Sequence, residues 1–167
     1  LGAGTGLVSL VLSALLSSRP NISVTITDLA SAISLLEHNI QHNRPLLERT
    51  NIRLNVLDWE RDLPDEIKSS GPFKLILMSD VTYNTASFSA LLKTMRSLRQ
   101  LSRDANVDTL AVLAYKERDI AERELWAMME KEGFQFAKLE EITGHGGQPV
   151  ELWFAQVSQC VTQVTRR

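Results

Sequence analysis

The sequence predicts an α/β domain, with a mostly parallel sheet flanked by helices and an antiparallel pair as its last two strands. Three observations point there. Strand-length and helix-length apolar segments alternate along most of the chain, and two strand-like segments follow one another at its end. The segments Phe73 to Met78 (FKLILM) and Thr109 to Tyr115 (TLAVLAY) are apolar without alternation, as expected of strands covered on both faces. Finally, Asp28, Asp58, Asp80 and Tyr115 each fall at the carboxyl end of a predicted strand, which is where such sheets bind ligands. A length of 167 residues with 44% hydrophobic content suits one domain with a real core.

The elements follow in order. Leu7 to Ser18 is apolar on more than one side and predicts a buried helix, ended by Arg19-Pro20-Asn21. It is about ten residues long in its apolar part, against ~20 for a membrane span. Asn21 to Thr27 is short and β-branched, a strand ending at Asp28. Ala30 to Gln41 carries Ile33, Leu36 and Ile40 on one helical face. Asn51 to Leu57 alternates as a strand and ends at Asp58-Trp59, while Phe73 to Met78 ends at Ser79-Asp80. Phe88 to Leu101 repeats Leu91, Leu92, Met95 and Leu98 at helical spacing. After the strand Thr109 to Tyr115, Asp119 stands three residues before Glu122, a capping-box pattern opening a helix to Lys131, with Gly133 as its stop. Phe134 to Glu141 and Val150 to Val157 are the final strands, joined by a loop with Gly144, Gly146 and Gly147.

The chain opens within a glycine loop, Gly2-x-Gly4-x-Gly6, directly followed by a helix. Glycines let a backbone turn sharply and approach a ligand closely. The dinucleotide fingerprint is G-x-G-x-x-G, and its third glycine is Leu7 here; no Gly-Lys-Ser/Thr follows either. The loop therefore fits a nucleoside without phosphates better than NAD, a tight structural turn being the alternative. Asp28, 22 residues after Gly6, can accept both hydroxyls of a ribose or cap the next helix. Trp59 offers a flat apolar face for adenine and Asp58 an acceptor for its amine, although a tryptophan also serves simply as packing. Asp80 can hold an acceptor nitrogen or cap the next turn. Tyr83 can line the acceptor channel or pack under the following helix. The run Tyr115-Lys-Glu-Arg118 can shape substrate access or form a surface charge cluster.

A formal net charge of -2 gives no electrostatic footprint for nucleic acid, so no nucleic-acid partner is expected. The single cysteine, Cys160, rules out an internal disulfide and a multi-cysteine metal site. His38, His42 and His145 form no H-E-x-x-H pattern, and no metal is expected. No Ser-His-Asp or Cys-His arrangement points to nucleophilic catalysis.

These residues carry a resemblance. The stretches LGAGTGLVSL (Leu1 to Leu10), VTITDL (Val24 to Leu29), LEHNIQHN (Leu36 to Asn43), LDWE (Leu57 to Glu60), SDVTYN (Ser79 to Asn84) and AYKERD (Ala114 to Asp119) span nearly the whole chain in order. Together they resemble the seven-β-strand S-adenosylmethionine-dependent methyltransferases, and within them the lysine methyltransferase group designated family 16 or methyltransferase-like 21. The resemblance implies a Rossmann-like seven-stranded sheet with an antiparallel last pair, lacking its first strand here. Residues 1–167 would then be one methyltransferase domain, truncated at its N-terminal side. It implies Gly2, Gly4 and Gly6 around the methionine and ribose of S-adenosylmethionine, Asp28 on the ribose hydroxyls, and Asp58 with Trp59 at adenine. Asp80 and Tyr83 would face the acceptor amine. Family substrates are mostly lysines of non-histone proteins such as translation factors and chaperones. Members are cytoplasmic or nuclear, and many are monomers; no membrane partner is implied.

The expected chemistry is direct in-line transfer of a methyl group to a deprotonated lysine amine, driven by positioning. Other acceptors remain open at this stage, namely a small molecule, a histidine nitrogen or an RNA base, the last lacking the Pro-Pro-Tyr/Phe type of motif. An NAD-dependent oxidoreductase and an inactive protein-binding domain are further alternatives. Because the resemblance places a cofactor-binding acidic residue on the absent first strand, residues 1–167 alone should bind S-adenosylmethionine only weakly. Calorimetric titration checks this, and binding at micromolar strength contradicts it.

Overall fold

A computed structural model describes residues 1–19, 21–47, 49–143 and 147–157. The expectations on Gly144, His145, Gly146 and Cys160 lie outside the described residues. The strands are β1 (Ser23–Asp28), β2 (Asn51–Val56), β3 (Leu75–Ser79), β4 (Leu110–Lys116), β5 (Phe134–Ile142) and β6 (Val150–Val157). The helices are α1 (Leu7–Leu15), α2 (Ala30–His42), α3 (Arg44–Leu47), α4 (Asp65–Ser70), α5 (Phe88–Asp104) and α6 (Glu124–Lys131). Short 3₁₀ turns, Thr85–Ser87 and Ile120–Arg123, lead into α5 and α6. The two short helices α3 and α4 had no counterpart in the sequence reading, since four and six residues are too few to show a helical period.

The strands form two sheets. β1 pairs in parallel with β2, and a second sheet runs β3-β4-β6-β5, with β3 and β4 parallel and β6 antiparallel to both β4 and β5. β1 and β3 are not paired to each other. The first residues of the chain stand between them: the Leu1 amine donates to the Leu77 carbonyl (2.8 Å) and the Ala3 amide donates to Thr27 (3.0 Å). This is the Rossmann-like sheet with an antiparallel last pair, and among the described residues no strand stands between β1 and β3.

The main core lies on one face of the larger sheet. Ile76 and Met78 of β3 and Ala111, Leu113 and Tyr115 of β4 alternate onto that face and are buried. The stripe Phe88, Leu91, Leu92, Met95 and Leu98 of α5 covers them, at the spacing that puts these residues on one side of a helix. The opposite face, with Leu77 and Val112, is only half-buried, where apolar runs had suggested strands fully covered on both sides.

Helix α1 departs most from its reading. It stops at Leu15 rather than Ser18, and it is not a buried helix: Leu7 is 67% and Leu15 74% exposed, and Ser13 is its one buried residue. A uniformly apolar sequence carries no period, so which side it buries is decided by its neighbours. Here Ser13 turns inward, bonded to the Ser9 carbonyl, while its own carbonyl accepts from Thr50 (2.8 Å).

The closing strands are fastened to β4 and α6 by one polar cluster. Glu151 accepts both Nη groups of Arg123 (2.9 and 3.2 Å), Lys138 Nζ (3.1 Å) and the indole of Trp153 (2.8 Å). Arg123 also pairs with Glu117 and lies over the rings of Tyr115 and Trp126. Burial by itself would raise the Glu151 carboxyl, but the bonds from Arg123, Trp153 and Lys138 outweigh it and bring it to about 2. Because that value lies below the ordinary 4.5, the stabilisation is present above pH 4.5 and is lost as pH falls towards 2. Glu151→Gln should therefore destabilise the fold by about 2 kcal/mol at pH 7. Denaturant titrations should show the difference shrinking steadily below pH 4.5.

Candidate active site

A cleft of ≈ 690 Å³ opens at the carboxyl ends of β1, β2 and β3. One wall is the glycine loop. Its course is fixed by three bonds of different origin: Ala3 to the β1 backbone, the Gly4 amide to Asp28 Oδ2 (2.7 Å), and Asn39 Nδ2 of α2 to the Thr5 carbonyl (2.8 Å). Gly6 has φ +83°, and a Cβ there would stand 2.8 Å from the Leu36 side chain, so glycine is required both for the turn and for close approach of α2. Gly4 has φ +57°, with nothing within 4 Å of where its Cβ would be: that side faces open space. A Cβ on Gly2 would press on Val81 (3.1 Å) and Trp59 (3.2 Å).

Asp28 ends β1 and does not cap α2, whose N-cap is Leu29 without a side-chain bond. Its carboxylate instead accepts the amides of Gly4 and Leu29, both at 2.7 Å. Asp58 bends the chain after β2 by accepting the Glu60 amide (3.0 Å), and pairs with exposed Arg61 (3.3 Å). Trp59 is half-buried, one part against the core and one in the cleft.

Asp80 follows β3 with φ +59°, in the left-handed region that a non-glycine residue adopts only at a cost. Its amide donates to Ala114 of β4 (3.1 Å), and its carboxylate Oδ1 lies 2.5 Å from Arg118 Nη1. That hydrogen bond to Asp80 raises the Arg118 guanidinium above its ordinary value, so it stays protonated. Asp80 does not cap the next turn; Asn84 does, accepting the Ala86 amide (3.2 Å). Tyr83 is 70% exposed at the cleft mouth and does not pack under α5. Between Asp80 and Tyr83, Thr82 is fully buried and donates to Glu122 (3.5 Å).

Gly2, Gly4, Asp28, Asp58, Trp59, Asp80 and Tyr83 thus line one cleft, with Gly6 behind it. Tyr115 does not join them. It points into the core, wholly buried and edge-on to Trp126, and burial chiefly pushes its phenol up to about 12. The expected capping box is half formed: Asp119 accepts the Ala121 amide (2.8 Å), but Glu122 turns inward to Thr82. The rings of His38 and His42 stack, with centroids 6.3 Å apart. The Asn39–Thr5 and Thr82–Glu122 contacts were not legible in the sequence, because partners 34 and 40 residues apart leave no local signal. The Arg118 pairing was visible only as an undirected charge patch.

Against known proteins, a model of the lysine methyltransferase family matches residues 1–132. The chain belongs to that family. The mouse protein N-lysine methyltransferase METTL21A is 40% identical over 119 residues, covering 71% of this chain and 50% of that protein. A UPF0665 family protein of Schizosaccharomyces pombe is 34% identical over 118 residues, 71% of this chain and 32% of that one. The chain thus spans half or less of the length of these relatives. A methyltransferase from Pyrococcus furiosus superposes with a TM-score of 0.58 over 94% of this chain and 73% of its own, at 16% identity, and so shares the fold.

The two glycines separate stability from site shape. Gly6→Ala should lower unfolding free energy by roughly 2–3 kcal/mol, from strain and the clash with Leu36 together. Gly4→Ala should cost about 1 kcal/mol, from backbone strain alone. Thermal denaturation of the two variants gives the comparison.

Proposed function

We propose that the protein is an S-adenosylmethionine-dependent protein N-methyltransferase acting on a lysine side chain of a non-histone protein, such as a translation factor or chaperone. The observation that carries this is the charge of the cleft. Asp28, Asp58, Glu60 and Asp80 line it, and no Lys or Arg is among the described lining residues, although Arg61 and Arg118 pair with Asp58 and Asp80 from outside the lining. Such a wall suits cationic ligands and opposes a pyrophosphate. S-adenosylmethionine and a lysine are both cationic, and family membership supports the same pair. The residues present fit the cofactor: the open side of Gly4, the Asp28 carboxylate and the Trp59 face lie together in one cleft.

When bound, S-adenosylmethionine supplies an electrophilic methyl group on a sulfonium. The chain's residues do the rest. The glycine loop gives the methionine and ribose room, and Asp28, whose two oxygens each hold one amide, has further lone pairs for ribose hydroxyls. Trp59 would cover adenine, and Asp58 would accept its amine. Asp80 accepts a hydrogen bond from the substrate nitrogen and orients its lone pair, and Tyr83 guides the substrate at the mouth. No covalent intermediate on the protein is required.

Transfer of labelled methyl into a protein extract tests this, using the full-length protein and its Asp80→Asn variant. The wild type should label a discrete protein band on lysine. The variant should lose about 100-fold or more of the rate while binding the cofactor within a few-fold of wild type. Cofactor binding without any labelled protein would contradict the proposal.

A further inference from the structure

The carboxylate that orients the acceptor poses a chemical problem. The substrate nitrogen forms its new N–C bond with its lone pair as the S–C bond breaks and returns its electrons to sulfur. The amine must therefore first lose a proton to solvent. A carboxylate alone favours the ammonium form, which has no lone pair to give. The other anions of the cleft, Asp28 at the end of β1 and Asp58 and Glu60 after β2, act in the same direction, and Asp58 is paired with exposed Arg61.

Around Asp80 the structure supplies a counter-charge. Arg118, from the loop after β4, contacts Asp80 Oδ1 at 2.5 Å, and among the described residues nothing bonds to Oδ2. Other charged groups stand on that side: Lys116 is exposed at the end of β4, and Glu122 acts on Arg118 from beneath. Glu117 is held by Arg123 and Asp119 caps the 3₁₀ turn, while Glu122 is buried beneath Thr82. Asp80 itself is held by the Ala114 carbonyl in a strained backbone that keeps its carboxylate facing both Arg118 and the cleft.

We infer that Arg118 is a positioning and charge-balancing residue for methyl transfer: it holds Asp80 through Oδ1 and offsets its charge, leaving Oδ2 to receive the acceptor as a neutral amine. This rests on the reading of Asp80 given above. Arg118 keeps its place during the reaction, its positive charge lowering the pKa of the bound amine. Replacing it with a neutral residue should therefore move the rising limb of activity to higher pH.

The experiment takes the full-length protein, Arg118→Gln and Arg118→Lys, with the acceptor protein recovered from the labelled band and saturating S-adenosylmethionine. The rate at saturating acceptor is followed from pH 6 to 10. Arg118→Gln should shift the rising limb up by roughly half to one pH unit, the pair being partly exposed and screened. Its rate should fall about 3- to 10-fold at pH 7 and recover at high pH, while Arg118→Lys keeps the wild-type profile. An unmoved limb overturns the inference. A lower KM with an unmoved limb also overturns it, because the guanidinium would then merely compete with the acceptor for Asp80. If the wild-type protein labels nothing, the reading of Asp80 fails first, and this inference with it.

Discussion

The bond from the Gly4 amide to Asp28 is the constraint on which the cleft depends. It ties a loop with little side-chain packing of its own to the end of a strand whose Ile26 is buried. The flanking bonds to Thr27 and Asn39 then fix the loop from β1 and α2 at once. A hydrogen bond to a charged acceptor is among the stronger single bonds available, and three together offset the entropy of ordering glycines. Asp28 consequently has two tasks in one place: it shapes the loop and it presents acceptor oxygens beside it. Helix α1, which starts at the end of that loop, is held in place mainly through its Ser13 side, and its apolar outer face stays exposed.

Two arginines a turn apart show how burial sorts similar chemistry. Arg123 is embedded between aromatic rings and two carboxylates, and it fastens the closing strand pair to β4 and α6. Its Nε and both Nη groups already bond to these carboxylates. Arg118 has a single carboxylate partner, both are about half-exposed, and that partner is the residue at the cleft. The first pair holds structure together, whereas the second can respond to what arrives. Between them Glu122 spends its charge in the interior, on a single long bond from Thr82, beneath the segment that carries Asp80.

The strands are more legible in the sequence than their surroundings. A run such as Leu75–Ser79 or Leu110–Lys116 has one structural use, and its carboxyl end names a site in any parallel sheet. Hence Asp28, Asp58 and Asp80 could be placed at the carboxyl ends of their strands, which is where the cleft lies. The same rule misled at Tyr115, which also ends a strand. Its side chain alternates onto the core face with Ala111 and Leu113, a parity that the end-of-strand argument ignores.

The sequence by itself determined the order of the strands and longer helices, the glycine loop and the identity of the acidic residues, because these depend on local propensity, period and composition. Tertiary structure alone decided which face α1 buries, that Glu122 turns inward, that Asn39 steadies the loop, and that Arg118 meets Asp80. Each of these pairs residues far apart in the chain, such as Asn39 with Thr5 or Thr82 with Glu122. Local preference is silent on such pairs, since their energy exists only once the packing of strands and helices has brought the partners within bonding distance.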